Sequence, residues 1–543
     1  MRALRVSIIL IAAVVLCGYA PSDETAAYVS KVWVADKGDG TYRNPVLYAD
    51  YSDPDVLRVG DDFYMTSSSF TCVPGLPILH SKDLVNWTIV GHALKKQVPE
   101  EVYDKPQQGK GVWAPSLRYR AGSFYIYYGD PDYGLYMVKT KDPAGDWEKP
   151  VLVLAGKGLI DPCPLWDDDG KAYLVHAWAA SRAGVSSLLT VHRMSPEGTQ
   201  ALDEGRHVFD GHDHHPTCEG PKFYKRNGYY YILTPAGGVP RGWQLALRSR
   251  NIYGPYEEKI VLAQGSTNVN GPHQGGWVDT PSGESWFLHF QELGAYGRVV
   301  HLQPVNWVDD WPLMGLVKDG SGTGEPVLSH KKPDLKDGVP IRTPQESDEF
   351  DAAVLGLQWQ WNANPRITWY ALIPGSGHLR LFSIKKPEGA RNLWDVPNLL
   401  LQKLPAPDFI ATAKVRFTEA SAGKQAGLIV MGRSYSHLSL SGTQDGLKLA
   451  QVVCPNAAGG GKETVAAELP LKDHSLYLRV KVTSPNARCR FSYSLDGTQF
   501  TGLGEEFAAQ PGGWIGAKMG LFSVSEPAAG DGGYADFDWF RVE

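Results

Sequence analysis

Five residues open five diverged copies of one pattern, and four of them carry acid–base groups: Asp53, Ala114, Asp161, Glu219 and His273. Carboxyl groups crowded into one pocket cannot all ionise freely, because like charge and desolvation raise the pKa of at least one of them. One acid then stays protonated near neutral pH beside an ionised carboxylate. Cleavage of a glycosidic bond needs that asymmetry: an acid protonates the leaving oxygen while a carboxylate attacks the anomeric carbon or activates water. Glu219 is the expected acid, since its longer side chain can reach a glycosidic oxygen and Cys218 and Pro221 flank it with apolar bulk. Asp53 is the expected base, which leaves Asp161 to tune and orient the acid.

These side chains meet only if the copies are arranged around an axis. Asp53-Pro54-Asp55-Val56-Leu57 leads through Gly60 to Phe63-Tyr64-Met65, a strand, a tight turn and a strand. Ala114-Pro115-Ser116-Leu117 with Gly122 and Tyr125-Ile126-Tyr127 repeats it, as do Asp161-Pro162-Cys163-Pro164 with Gly170, Glu219-Gly220-Pro221 with Gly228, and more weakly His273 with Gly283. A second pattern follows several copies, a short strand and polar loop ending in an aromatic ring: Ile78 to Trp87, Met137 to Trp147, Leu245 to Tyr256. A period of roughly fifty to sixty residues with four short strands per copy predicts a five-bladed β-propeller over residues 40–315. The innermost strand of each blade borders the axis, so the opening residues converge at one end. A non-repeating β-sandwich is the alternative, and the shared turn positions disfavour it.

Residues 316–345 are rich in Gly, Pro, Lys and Asp without periodicity and read as a linker. Beyond them, over 346–543, alternating segments such as Phe409 to Phe417 and Leu476 to Val482 predict a second all-β unit, an antiparallel β-sandwich. Asp348 and Asp536 there read either as ligands of a shared structural calcium or as solvated surface acids.

With 543 residues the chain needs more than one core. Its 43% hydrophobic content excludes disorder as a main theme, and a net charge of −6 offers no basic field for nucleic acid. Seventeen Trp and 26 Tyr suit both sugar faces and ordinary cores. Residues 1–20 have the charged, apolar and small-residue regions of a secretory signal, and no other run is long enough to span a membrane. Cys17 raises a lipoprotein alternative that Leu16 disfavours. Cleavage leaves five cysteines; a Cys454–Cys489 pairing stays open, while Cys163 and Cys218 read as buried thiols. No His, Asp and Glu set has transition-metal spacing. A homo-oligomer is left open.

The segments Asn44-Pro45-Val46-Leu47 to Asp53-Pro54-Asp55-Val56, Gly111-Val112-Trp113-Ala114-Pro115, Asp161-Pro162, Glu219-Gly220-Pro221 and Gly297-Arg298-Val299-Val300-His301-Leu302-Gln303-Pro304 resemble glycoside hydrolase family 43 from Tyr42 to Pro312. The C-terminal part resembles the concanavalin-like sandwich attached to that family's β-xylosidases. This resemblance implies an inverting mechanism with Asp53 as general base, Glu219 as general acid and Asp161 as pKa modulator, with no cofactor required for the chemistry. It also implies that His273 lies on the axis below the pocket, near a calcium or a water cluster and bound through water, and that Arg298 contacts substrate hydroxyls. The alternatives are a satisfied structural histidine and a core ion pair. Trp113 and Phe70 are candidate pocket walls, or simple core packing. The expected substrates are plant cell-wall oligosaccharides, with exo release of xylose from xylan fragments; α-L-arabinofuranosidase or dual activity is the alternative. A non-catalytic carbohydrate-binding propeller requires the loss of one acid, and all three are present. An endo-arabinanase needs an open groove, which an appended sandwich opposes.

Overall fold

The computed structural model describes residues 28–543 except 319, 336–337, 419–420 and 445. The leader read over residues 1–20, with Cys17, lies outside the described residues.

Short alternating segments joined by tight turns fold into five four-stranded antiparallel blades. Blade 1 comprises Asp55–Val59, Asp62–Thr66, Gly75–Ser81 and Trp87–Leu94; blade 2, Trp113–Arg120, Ser123–Asp130, Gly134–Thr140 and Val151–Ala155. Blade 3 comprises Leu159–Trp166, Ala172–Trp178, Leu188–Met194 and Arg206–Asp210; blade 4, Lys222–Arg226, Tyr229–Ala236, Trp243–Ser249 and Glu257–Leu262. Blade 5 comprises His273–Asp279, Ser285–Glu292, Arg298–Val308 and Trp311–Met314. The first turn of every blade holds a glycine at positive φ, between 63° at Gly60 and 91° at Gly283, where an L side chain would be strained.

Apolar side chains fill five wedges, each shared by two neighbouring blades. Val56, Met65 and Trp87 of blade 1 pack with Trp286 and Leu288 of blade 5, and Leu233 and Val261 of blade 4 pack with Trp277 and Phe287. Each such large side chain contributes about 1.5–3 kcal/mol on burial. Because that bulk sits between the blades, the axis is left to polar groups, among them Asp53, Asp55, Ser116, Asp161, Lys222 and His273, all buried. The ring closes where the first strand of blade 5 lies beside that of blade 1 and Leu47 bridges to Val300.

The segment read as a linker is laced to the propeller. Ser329–Lys331 pairs with Thr41–Arg43, Gly324 pairs in parallel with Leu262, and Lys332 sits 2.6 Å from both Asp36 and Asp83. Strands of two or three residues are too short to leave a period in the sequence.

The sandwich consists of two eight-stranded sheets. Ala411, Ala413, Val415 and Phe417 of Phe409–Thr418 face Ala426, Leu428 and Val430 of Lys424–Met431. Both readings of its two acids need correction. Asp536 is fully buried between Arg380 and Arg416, and Asp348 is buried under the Phe350 N–H and the Trp359 indole, so neither is solvated and neither is directed at a shared cation. Nor do Cys454 and Cys489 pair: they lie in different sheets, and their thiols face the carbonyls of Gly461 and Ala487. No described helix is long and apolar enough to cross a membrane.

Candidate active site

The blade openings are strained turns. Asp53 and Asp161 have φ of 54° and 57°, each directly before a proline, a conformation rare outside glycine. The matching positions in blades 4 and 5 are Gly220, φ 57°, and Gln274, φ 44°. Glu219 and His273 therefore stand one residue earlier on their copies than the two aspartates do, which corrects the strict equivalence expected from the repeat. At Gly220 an L side chain would be strained, and its Cβ would come within 2.6 Å of the Gln274 side chain, which would have to move. Register shifts at Trp113/Ser116, Ile160/Cys163 and His273/Gly275 mark β-bulges at the same place in three blades. Bulges of this kind re-aim side chains toward a site.

Asp53 is held from both sides. Arg298 Nη1 lies 2.9 Å from its Oδ1, while Ser68 Oγ and Ser52 Oγ donate to its Oδ2 at 2.6 and 2.9 Å. Asp161 receives one backbone hydrogen bond, from Gly220 N to Oδ2 at 2.8 Å. Burial, followed by the charge of Asp53, pushes the Asp161 carboxyl up to about 7, against the pull of the Gly220 N–H, Lys222 and Arg298. Glu219 leaves about a third of its side chain exposed, 32%, and makes no ion pair shorter than 4.0 Å. Desolvation, followed by the charges of Asp161 and Asp53, raises it to about 8, with Arg298 opposing.

His273 is fully buried, 4.0 Å from Glu219 Oε1, and neither ring nitrogen has a hydrogen-bond partner among the described residues. Burial, then the charges of Arg298 and His289, push it down to about 3, so the ring is neutral. An orphaned neutral imidazole suits water. It could equally face a cation held through water, although among the described residues no group of three His, Cys, Asp or Glu could hold a metal directly.

Of the expected walls, Phe70 is buried at φ 50°, two residues beyond Ser68, and its ring meets the half-buried Trp113 at 6.4 Å. Trp113 in turn meets Trp514 of the sandwich at 5.9 Å. Trp514 is 54% exposed at φ 66°, on a loop fastened to the propeller. Asp50 accepts from Gly516 N at 3.0 Å with one oxygen and from Arg298 N at 2.9 Å with the other. Sequence reasoning missed Ser52, Ser68, Asp50 and Trp514. Only Trp514 carried a signal, a large ring in the glycine-rich run Pro511-Gly512-Gly513-Trp514-Ile515-Gly516.

An acid kept protonated beside a carboxylate clamped by an arginine, at the end of a propeller axis, has the division of labour that glycosidic cleavage requires, and the class of protein is a glycoside hydrolase. Residues 42–312 match the family model of glycosyl hydrolases family 43, and residues 347–543 match the β-xylosidase C-terminal concanavalin A-like domain. A protein of Xylanibacter ruminicola is 42% identical over 501 residues, 91% of this chain and 88% of that one. A β-xylosidase of Formosa agariphila is 35% identical, covering 96% and 93%, and a non-reducing-end α-L-arabinofuranosidase of Bacteroides ovatus is 31% identical, covering 94% and 96%. The crystal structure of a xylan β-1,4-xylosidase from Bacillus halodurans superposes with a TM-score of 0.80 at 25% identity, over 92% of this chain and 99% of that one. The chain belongs to glycoside hydrolase family 43.

Proposed function

We propose that this chain is an exo-acting, inverting glycosidase that releases single xylose units from xylan-derived oligosaccharides. The observation that carries the reading is the unequal proton affinity at the axis: Glu219 is raised to about 8, while Asp53 is ion-paired to Arg298 at 2.9 Å. In this mechanism the Asp53 carboxylate, oriented by Ser52, Ser68 and Arg298, takes a proton from water as the water attacks the anomeric carbon. Glu219 gives its proton to the leaving oxygen, and the charge of Asp161 keeps that proton in place until transfer. Arg298, beside the base, is placed to contact a sugar hydroxyl as well. The Trp514 ring, packed on Trp113, brings the sandwich up to the propeller beside Phe70, which supports an exo cut over cleavage in an open groove.

The similarity to an arabinofuranosidase at 31% identity supports a second reading, in which arabinofuranose replaces or shares the xylose site. Side-by-side rates on nitrophenyl β-xyloside and nitrophenyl α-L-arabinofuranoside separate the two. Proton NMR of the first product should show an inverted anomeric centre; retained configuration would remove Asp53 as a water-activating base.

A further inference from the structure

Besides Arg298, two cations stand close to the axis, Arg118 half-buried and Lys222 buried, and their surroundings differ. Arg118, on the first strand of blade 2, is paired: its Nη1 lies 2.8 Å from Asp55 Oδ2, and its Nη2 donates to Cys163 Sγ at 2.8 Å. Lys222, on the first strand of blade 4, is fully buried and makes no ion pair within 4.0 Å among the described residues. Its Nζ donates to the Pro115 carbonyl at 2.5 Å. An ammonium withdrawn from water without a counter-ion is costly, and a neutral side chain of similar length would fill the same space at lower cost.

The Lys222 charge favours the ionised forms of Cys163 and Asp161 alike, and of the two Asp161 is the one at the site. Two residues before Lys222, Gly220 N donates to Asp161 Oδ2, so residues 220–222 meet that carboxyl with both a hydrogen bond and a field. The other groups facing Asp161 are Asp53, Glu219 and Arg298. Arg298 is already neutralised by Asp53 at 2.9 Å, which leaves Lys222 as the cation whose charge is not spent on another carboxylate.

We propose that Lys222 is a positioning residue for the reaction: a fixed internal ammonium that keeps Asp161 ionised in a water-poor axis and, through Asp161, keeps Glu219 protonated. No bond or proton changes hands at Lys222 itself. The proposal rests on the glycosidase reading of this site.

Lys222→Gln keeps a donor for Pro115 and removes the charge; Lys222→Met removes both. In either variant Asp161 takes up its proton at higher pH, and Glu219, having lost an anionic neighbour, ionises at lower pH. The bell-shaped pH dependence of kcat/KM should narrow from both sides, by about half a unit to one unit per limb. Thermal midpoints should stay at or above wild type, because an unpaired buried charge is gone. A folded Lys222→Gln with an unchanged bell, or activity that falls only in step with the thermal midpoint, overturns the proposal. In the wild type, 15N NMR should find Lys222 as an ammonium at pH 7, and a neutral amine overturns it without any variant. A wild type that cleaves no glycoside counts against the glycosidase reading alone. The 13C carboxyl titration of Asp161 then still tests the electrostatic role: an upward shift in Lys222→Gln supports it, and no shift overturns it.

Discussion

Asp161 at the propeller axis and Asp536 in the sandwich are the same side chain, both buried, in opposite electrostatic settings. Asp161 has a single backbone hydrogen bond and a like charge beside it, and burial pushes it up to about 7. Burial would raise Asp536 too, but Arg380, bound through two hydrogen bonds at 2.7 and 3.0 Å, and Arg416, at 2.9 Å, outweigh it and hold that carboxyl below its ordinary value. Glu463 repeats the second case: burial opposes, yet His437 and Tyr435 bring it down to about 2. An acid given its cations contributes to holding the fold. An acid left short of them stores free energy as proton affinity, which general acid catalysis can use.

The largest expected effects break the axis itself. Asp53→Ala should lower kcat/KM by about 10²–10⁴-fold on every substrate, because every substrate needs the activated water. Glu219→Ala should lose as much on a xylo-oligosaccharide but little on a dinitrophenyl glycoside, whose leaving group needs no proton. Equal losses on both substrates for Glu219→Ala, with leaving-group dependence in Asp53→Ala instead, would exchange the two roles.

The next effect sharpens the contrast through stability. Asp536→Ala removes the shared partner of Arg380 and Arg416, which remain partly in water, and should cost about 1.5–3 kcal/mol at pH 7. Since the folded-state pKa of Asp536 lies below its unfolded value, its contribution is present above about pH 4 and fades as pH falls through the folded pKa, so the gap between wild type and variant should close in acid. Asp161 has the opposite sign. Its folded-state pKa of about 7 exceeds the ordinary 3.8, so the folded chain binds the extra proton between those values and stability declines as pH rises through that window. Asp161→Asn should therefore raise the thermal midpoint more at pH 8 than at pH 4. Melting curves across pH with the same slope for both variants would end the comparison.

The smallest effect concerns one of the places where the sandwich meets the site. Trp514→Ala removes an edge contact worth about 1 kcal/mol. It should raise KM about five-fold with kcat nearly unchanged; a fall in kcat alone would mean that the loop positions Arg298 through Asp50 instead of lining the mouth.

Much of this architecture was legible in the chain. The turn glycines from Gly60 to Gly283 mark a positive φ that few other residues adopt, so their spacing exposed the blades directly. Asp53, Asp161 and Glu219 stood out at the heads of the copies because each lies at an Asp-Pro or Gly-Pro turn whose positive φ falls on Asp53, Asp161 and Gly220. The one-residue offset of Glu219 and His273 was not legible, because it shows only in which residue of each opening turn takes the positive φ, Asp53 and Asp161 in two copies but Gly220 and Gln274 in the others. The pairing of Ser329–Lys331 with Thr41–Arg43 and the burial of Asp536 between Arg380 and Arg416 were hidden for another reason: their partners are distant in the chain.

Taken alone, the sequence determined the local conformations, the repeat, and which side chains with acid–base chemistry arrive at the axis, since turns and alternation are set by neighbouring residues. Tertiary structure decided which of those acids is paired. Arg298 reaches Asp53 across 245 positions, and Gly516 reaches Asp50 across 466. A carboxyl's proton affinity depends on the charges and solvent within a few ångströms of it, and those are fixed only when the ring has closed and the sandwich has docked.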